Sequence, residues 1–223
     1  MSISENLRYY KDQLPAEVRL IAVSKTKPVT TIMEAYHAGQ RVFGENKAQD
    51  MADKYGRLPS DIQWHFIGHL QTNKVKLIAP FVKLIHAVDS LRLLKEINKQ
   101  AHINNRVIDC LLQFHIAEED TKFGLNMEEA TDMLSDKEFK NLTNVSITGV
   151  MGMATLTEDE HQISREFEQL HQIFAQLKNT VFMEQPSFCE ISMGMSDDYK
   201  IALEKGSTMI RIGTGIFGAR NYS

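Results

Sequence analysis

Short apolar runs alternate along the chain with stretches whose apolar residues recur at three- and four-residue spacing, the signature of strands alternating with amphipathic helices. Ile3 to Gln13 reads as a short helix with Ser4 as a candidate cap, and Val18 to Lys25 as the first strand. A helix over Val29 to Ala38 stops at Gly39, and a short strand over Arg41 to Glu45 leads into a helix from about Asn46 to Tyr55. Ile62 to Ile67 is the third strand, closed by Gly68, and Thr72 to Ile78 is a short helix ended by Pro80. Val82 to Val88 is the fourth, with Asp89 or Ser90 as candidate caps of a helix that runs to about His102. Val107 to Ile116 is the fifth, followed by a helix opened by Asn126 or a neighbour and running through Leu134, and Val145 to Met151 is the sixth.

Thr157 and Glu160 have capping-box spacing ahead of a helix over Glu158 to Leu177. That helix carries Ile163, Phe167, Leu170, Ile173, Phe174 and Leu177 on one face. Phe188 to Met193 is the seventh strand, Asp197 to Lys205 a helix terminated by Gly206, and Met209 to Ile212 the eighth strand. A loop and short helical turn over Gly213 to Gly218 follow. Alternation at this rhythm implies parallel strands with right-handed crossovers. Roughly eight units in 223 residues favour an α/β fold of one domain, 1–223, closed as a (β/α)8 TIM barrel. Chemistry in such barrels gathers at the C-terminal ends of the strands.

Bulk properties narrow the function classes. Hydrophobic residues at 43% and charged residues at 24% describe an ordinary globule with ample core material. A net charge of −4 gives no general attraction to nucleic acid or to an anionic membrane. The start, Met1 to Asn6, lacks a basic stretch followed by an apolar run, and no apolar segment approaches the roughly 18 residues of a membrane span. Cys110 and Cys189 lie far apart in apolar, strand-like contexts and read as buried free thiols of a reducing compartment. The expectation is a cytoplasmic protein.

The candidate chemistry starts at Ala22-Val23-Ser24-Lys25-Thr26-Lys27-Pro28, where an apolar run ends in a lysine. Desolvation there would favour the neutral amine, the nucleophile that forms a Schiff base with a carbonyl. Period-two alternation puts Ile21, Val23 and Lys25 on the barrel interior and Ala22 and Ser24 toward the helices. Lys27, held extended before Pro28, is the weaker candidate. In the eighth strand Arg211 sits between two isoleucines, a costly position unless it meets a partner. Gly213, Thr214 and Gly215 then allow close backbone approach to a phosphate, and Ser196 in Ser192-Met193-Gly194-Met195-Ser196-Asp197-Asp198 reads as helix cap and phosphate ligand. Gly44-Glu45-Asn46 and the segment His65 to His69 also point at the mouth. His65 and His69 lack a suitably spaced third ligand and do not read as a metal site, while His161 and His171 fall on the solvated side of the long helix. Met151 and Met153 read as packing. A strand-end lysine, a strand-eight arginine and a glycine/serine cradle suit a phosphorylated aldehyde. Two classes fit: a sugar phosphate, as in a class I aldolase, or pyridoxal 5′-phosphate.

Five blocks, Ala22 to Pro28, Phe43 to Asn46, Trp64 to Gly68, Ser192 to Asp198 and Arg211 to Thr214, occur in an order that resembles the pyridoxal phosphate homeostasis protein family. The resemblance implies a fold-type III barrel like the N-terminal domain of alanine racemase, with Lys25 carrying pyridoxal 5′-phosphate (PLP) as a Schiff base. It implies Arg211 at the pyridine nitrogen, Ser196, Gly213 and Thr214 at the phosphate and Asn46 beside the ring. One departure from the family pattern is His69, a position expected to vary, which leaves the implied site unchanged. An arginine at the pyridine nitrogen disfavours protonation there and weakens the ring as an electron sink. Racemases of this fold draw a second base from an added β domain, for which a chain ending at Ser223 leaves no room. The implied role is a PLP-binding protein, not an enzyme, that buffers the cofactor or delivers it to apo-enzymes, with effects on amino-acid and keto-acid metabolism. The competing reading is a low-activity PLP-dependent amino-acid racemase. Without the racemase dimerisation domain, a monomer is the expectation.

Overall fold

The strands close into a parallel barrel in sequence order, β1 through β8, with β8 hydrogen-bonded back to β1. The computed structural model describes residues 2–119 and 123–219. Met1 and Ser223, on which the expectations about a leader and an added domain rest, lie outside them. The chain runs α1 (Ile3–Gln13), β1 (Arg19–Val23), α2 (Val29–His37), β2 (Val42–Glu45), α3 (Ala48–Tyr55) and β3 (Gln63–Phe66). It continues through α4 (Val75–Ile78), β4 (Leu84–Val88), α5 (Leu91–Ile103), β5 (Ile108–Gln113), α6 (Met127–Ser135) and β6 (Val145–Met151). Then come α7 (Glu160–Asn179), β7 (Glu190–Ser192), α8 (Tyr199–Glu204), β8 (Met209–Ile212) and α9 (Thr214–Phe217). Among the described residues no helix is long and apolar enough to cross a membrane.

Strand alternation splits the core in two. Ile21, Leu84, Ala87, Leu111, Met151 and Met209 fill the barrel interior, while Ala22, Phe43, Trp64, Phe66, Ile85 and Ile210 face the surrounding helices. Gly149 permits the close approach of β6 and β7: a Cβ there would sit 1.8 Å from the Glu190 carbonyl oxygen.

Several strands are shorter than their apolar runs. Val82, Phe188 and Met193 are fully buried yet flank β4 and β7, because apolar character reports burial and not ladder pairing. Three helix starts also differ from the sequence reading. Ser2, not Ser4, caps α1, in a capping box with Glu5. At α7 the Asp159 carboxylate accepts from the His161 and Gln162 N–H groups, so the cap is Asp159 and not the Thr157/Glu160 pair. The α8 helix begins only at Tyr199, which leaves Ser196 in the preceding turn and not at the cap. Ser90 and Asn126 cap α5 and α6.

Two burial expectations fail. Cys110 is buried but Cys189 is exposed, because Cys189 lies just before β7 at the rim of the barrel. His161 is exposed, whereas His171 is half-buried with a ring nitrogen 3.0 Å from the Cβ position of Gly206. The glycine that ends α8 leaves the room that the ring occupies.

Candidate functional site

Barrel closure brings the first and last strand ends together, and there the walls enclose a cavity of about 230 Å³. Lys25, Asn46, Ser196, Arg211, Gly213 and Thr214 all line it, joined by Val23, Ile67, Met153 and Met195. Lys25 lies beyond β1 in a turn, half-buried. Lys27 also borders the cavity, but its ammonium donates to the carbonyls of Phe217, Gly218 and Ala219 at 3.0, 3.1 and 3.1 Å. It closes the C-terminal end of α9, where cations are favoured.

Asn46 sits in a loop before α3, since Lys47 is extended and the helix starts at Ala48. Gly68 holds this loop in place: a Cβ there would lie 2.4 Å from the Asn46 carbonyl oxygen. Its neighbours in Gly44-Glu45-Asn46 do not share the mouth. Gly44 faces Ile21 and Ile67, and Glu45 turns outward to Ser24 and Lys54. His65 points into the barrel, and His69 stacks on Phe123 and meets Asp89 at 3.3 Å. Among the described residues no three His, Cys, Asp or Glu side chains are placed to hold a metal ion.

At the other wall the Ser196 hydroxyl lies 3.2 Å from the Thr214 hydroxyl and 3.4 Å from the Gly215 N–H. Two hydroxyls and a backbone amide thus converge where the turn before α8 meets the start of α9, a donor set that suits phosphate oxygens. Asp198, buried behind this turn, accepts the Met195 N–H. Burial pushes its carboxyl up, against the opposing effects of Met195 and Arg211.

Arg211 is only 4% exposed. Its Nη1 donates to the Ser192 carbonyl at 2.8 Å and the Ser192 hydroxyl at 2.6 Å, and Nη2 to the Gly152 carbonyl at 3.0 Å. Burial lowers its pKa to about 10, with the charge of Asp198 acting in opposition, so it stays cationic at neutral pH. A guanidinium has five N–H donors, and these bonds leave capacity toward the cavity that Arg211 lines.

Behind Arg211 runs a buried polar chain. Ser192 Oγ lies 2.9 Å from His86 Nδ1, and His86 Nε2 lies 3.0 Å from His65 Nδ1. The guanidinium can only donate, so Ser192 Oγ accepts from Arg211; the direction of the two histidine bonds is set by the tautomer, and a Ser192 proton given to His86 Nδ1 goes with a His86 proton on Nε2, toward His65. Desolvation keeps both rings neutral, pushing His65 down to about 3 and His86 well below its ordinary range.

Sequence reasoning missed this chain and the Ser24–Glu45–Lys54 cluster. A histidine within the apolar run Leu84-Ile85-His86-Ala87-Val88 was the available signal for the first, and a glutamate ending the apolar run of β2 for the second. Met153, expected to serve packing, does pack against the barrel-interior cluster and also borders the cavity.

The chain matches the family described as alanine racemase, N-terminal domain, over residues 1–221. It is 37% identical to the pyridoxal phosphate homeostasis protein of Pasteurella multocida, across 99% of this chain and 96% of that protein. It is likewise 37% identical to the Escherichia coli K12 protein of the same name, across 99% and 98%. The structure of PipY from Synechococcus elongatus with PLP bound superposes with a TM-score of 0.87 at 35% identity, across 97% of this chain and all of that one. The alanine racemase of Bartonella henselae, at 16% identity and a TM-score of 0.70, shares the fold over 63% of its own chain. The chain belongs to the pyridoxal phosphate homeostasis protein family, built on the barrel of the alanine racemase N-terminal domain.

Proposed function

We propose that this protein binds PLP as a Schiff base at Lys25 and acts in PLP homeostasis, buffering the cofactor or delivering it to apo-enzymes. One observation carries the reading: an amine, a buried cation and a hydroxyl/amide cradle line one cavity at the C-terminal mouth of the barrel. The family's named relatives and the PLP-bound neighbour support it. When bound, PLP supplies a reactive aldehyde and an electron-withdrawing ring.

Lys25 would supply the nitrogen of the covalent bond. Ser196, Thr214 and the amides after Gly213 would hold the phosphate, Arg211 would face the ring nitrogen, and Asn46 would flank the ring. An Arg211 that is cationic at neutral pH and sits at that nitrogen opposes its protonation, which favours holding the cofactor over activating a bound amino acid. The half-buried position of Lys25 leaves its bond within reach of water or an incoming amine, as a carrier requires.

Incubating the purified protein with a broad panel of amino acids in deuterated buffer separates carrier from racemase. The carrier reading expects no α-proton exchange. Exchange that disappears in Lys25→Ala would instead establish catalysis.

A further inference from the structure

Lys25 is held by an unusual piece of backbone. The Lys27 N–H donates to the Ser24 carbonyl at 3.0 Å, closing a four-residue turn with Lys25 and Thr26 at its centre. Thr26 adopts φ 64°, the left-handed region, which a β-branched residue occupies only when its surroundings impose it. A buried polar cluster lies directly behind the turn. Ser24 Oγ donates to Glu45 Oε1 at 2.6 Å, and Lys54 Nζ donates both to that oxygen at 2.6 Å and to the Ser24 carbonyl at 2.9 Å. Ser24 and Glu45 are 0% exposed and the Lys54 side chain 12%. Glu45 Oε2 has no partner among the described residues, so both bonds converge on one carboxylate oxygen.

We propose that Ser24, Glu45 and Lys54 are positioning residues: they clamp the Ser24–Lys27 turn in its strained form and so aim the Lys25 amine into the cavity. The proposal rests on Lys25 being the amine that takes PLP. Apolar residues of similar volume would pack the layer between β2 and α3 as well as a buried ion pair does. Hydrogen bonds that converge on the hydroxyl and carbonyl of Ser24 do something packing cannot, which is to fix the direction in which the chain leaves β1. With the clamp released, Thr26 relaxes toward negative φ and Lys25 swings away from the Ser196–Thr214 wall. Glycine at position 26 carries no such strain, so it would keep the turn without the clamp.

The test follows adduct formation in the full-length protein on addition of PLP, and separately of pyridoxal, which lacks the phosphate. Borohydride reduction then locates the modified lysine. Ser24→Ala and Glu45→Leu, each of which removes a bond of the clamp, are expected to slow modification of Lys25 by about tenfold with either aldehyde, the strain of one left-handed non-glycine residue expressed as a rate. Adding Thr26→Gly to either variant is expected to restore the rate to within about twofold. Unchanged rates in Ser24→Ala and Glu45→Leu would overturn the clamp while leaving Lys25 as the site. So would slowing that Thr26→Gly does not restore and that follows loss of the urea midpoint, a purely structural role. Absence of a Lys25 adduct in the unmutated protein would overturn both the clamp and the proposed function.

Discussion

Ile21 on β1 is the register partner of Arg211 on β8. Residues separated by most of the sequence are therefore neighbours in one ladder, and the loops that leave these two strands face each other across the mouth. Lys25 and Gly213 reach the same cavity for that reason. The site exists only when the barrel is closed.

Arg211 holds that seam as well as facing the cavity. Arg211→Leu leaves two carbonyls and the Ser192 hydroxyl without their donor, and the expected loss of stability in urea unfolding is about 2–4 kcal/mol. Arg211→Lys keeps the charge but loses the fork, and is expected to fall between the two.

The neutral histidine pair makes the fold acid-sensitive. In the unfolded chain His65 and His86 take up protons near their ordinary pKa of 6.5, whereas folded His65 resists protonation down to about 3 and His86 is also strongly depressed. Between those limits the unfolded state binds more protons, so stability falls as pH falls below about 6.5, by up to roughly 1.4 kcal/mol per pH unit for each histidine. Urea midpoints measured from pH 7.5 to 4.5 are expected to decline with that slope. His65→Gln should flatten part of the decline.

Gly68 is expected to be intolerant of a single methyl group. A Cβ 2.4 Å from the Asn46 carbonyl oxygen forces the cavity loop to move, so Gly68→Ala should weaken PLP binding and cost about 1–3 kcal/mol. Equilibrium titration with PLP and urea unfolding of the same variant measure both effects.

Lys27 provides the contrast with Lys25. Its ammonium serves three carbonyls at the end of α9. Lys27→Ala should therefore lower stability by about 1 kcal/mol, while borohydride still modifies Lys25.

Much of the fold was legible because strand and helix periods differ: the order of all eight strands and the inward facing of Ile21 and Val23 follow from alternation, whereas Lys25 lies beyond the end of β1 and reaches the cavity from a turn. The six candidate site residues also gather at one cavity, as strand-end positions in this topology must. What sequence could not show was side-chain direction at loops and hydrogen bonding across strands. Glu45 and Asn46 are adjacent, yet one turns outward and the other lines the cavity. His65, His86, Ser192 and Arg211 come from four strands, and no linear spacing encodes their chain of bonds. Nothing in the residue type of Thr26 announces its positive φ.

The most direct measurement is the mass of the protein after incubation with PLP and borohydride reduction, with the modified peptide located. A single added phosphopyridoxyl group on Lys25, lost in Lys25→Ala, is expected. Modification at Lys27 or another lysine, or no stable addition, would contradict the assignment of Lys25 as the residue that holds the cofactor.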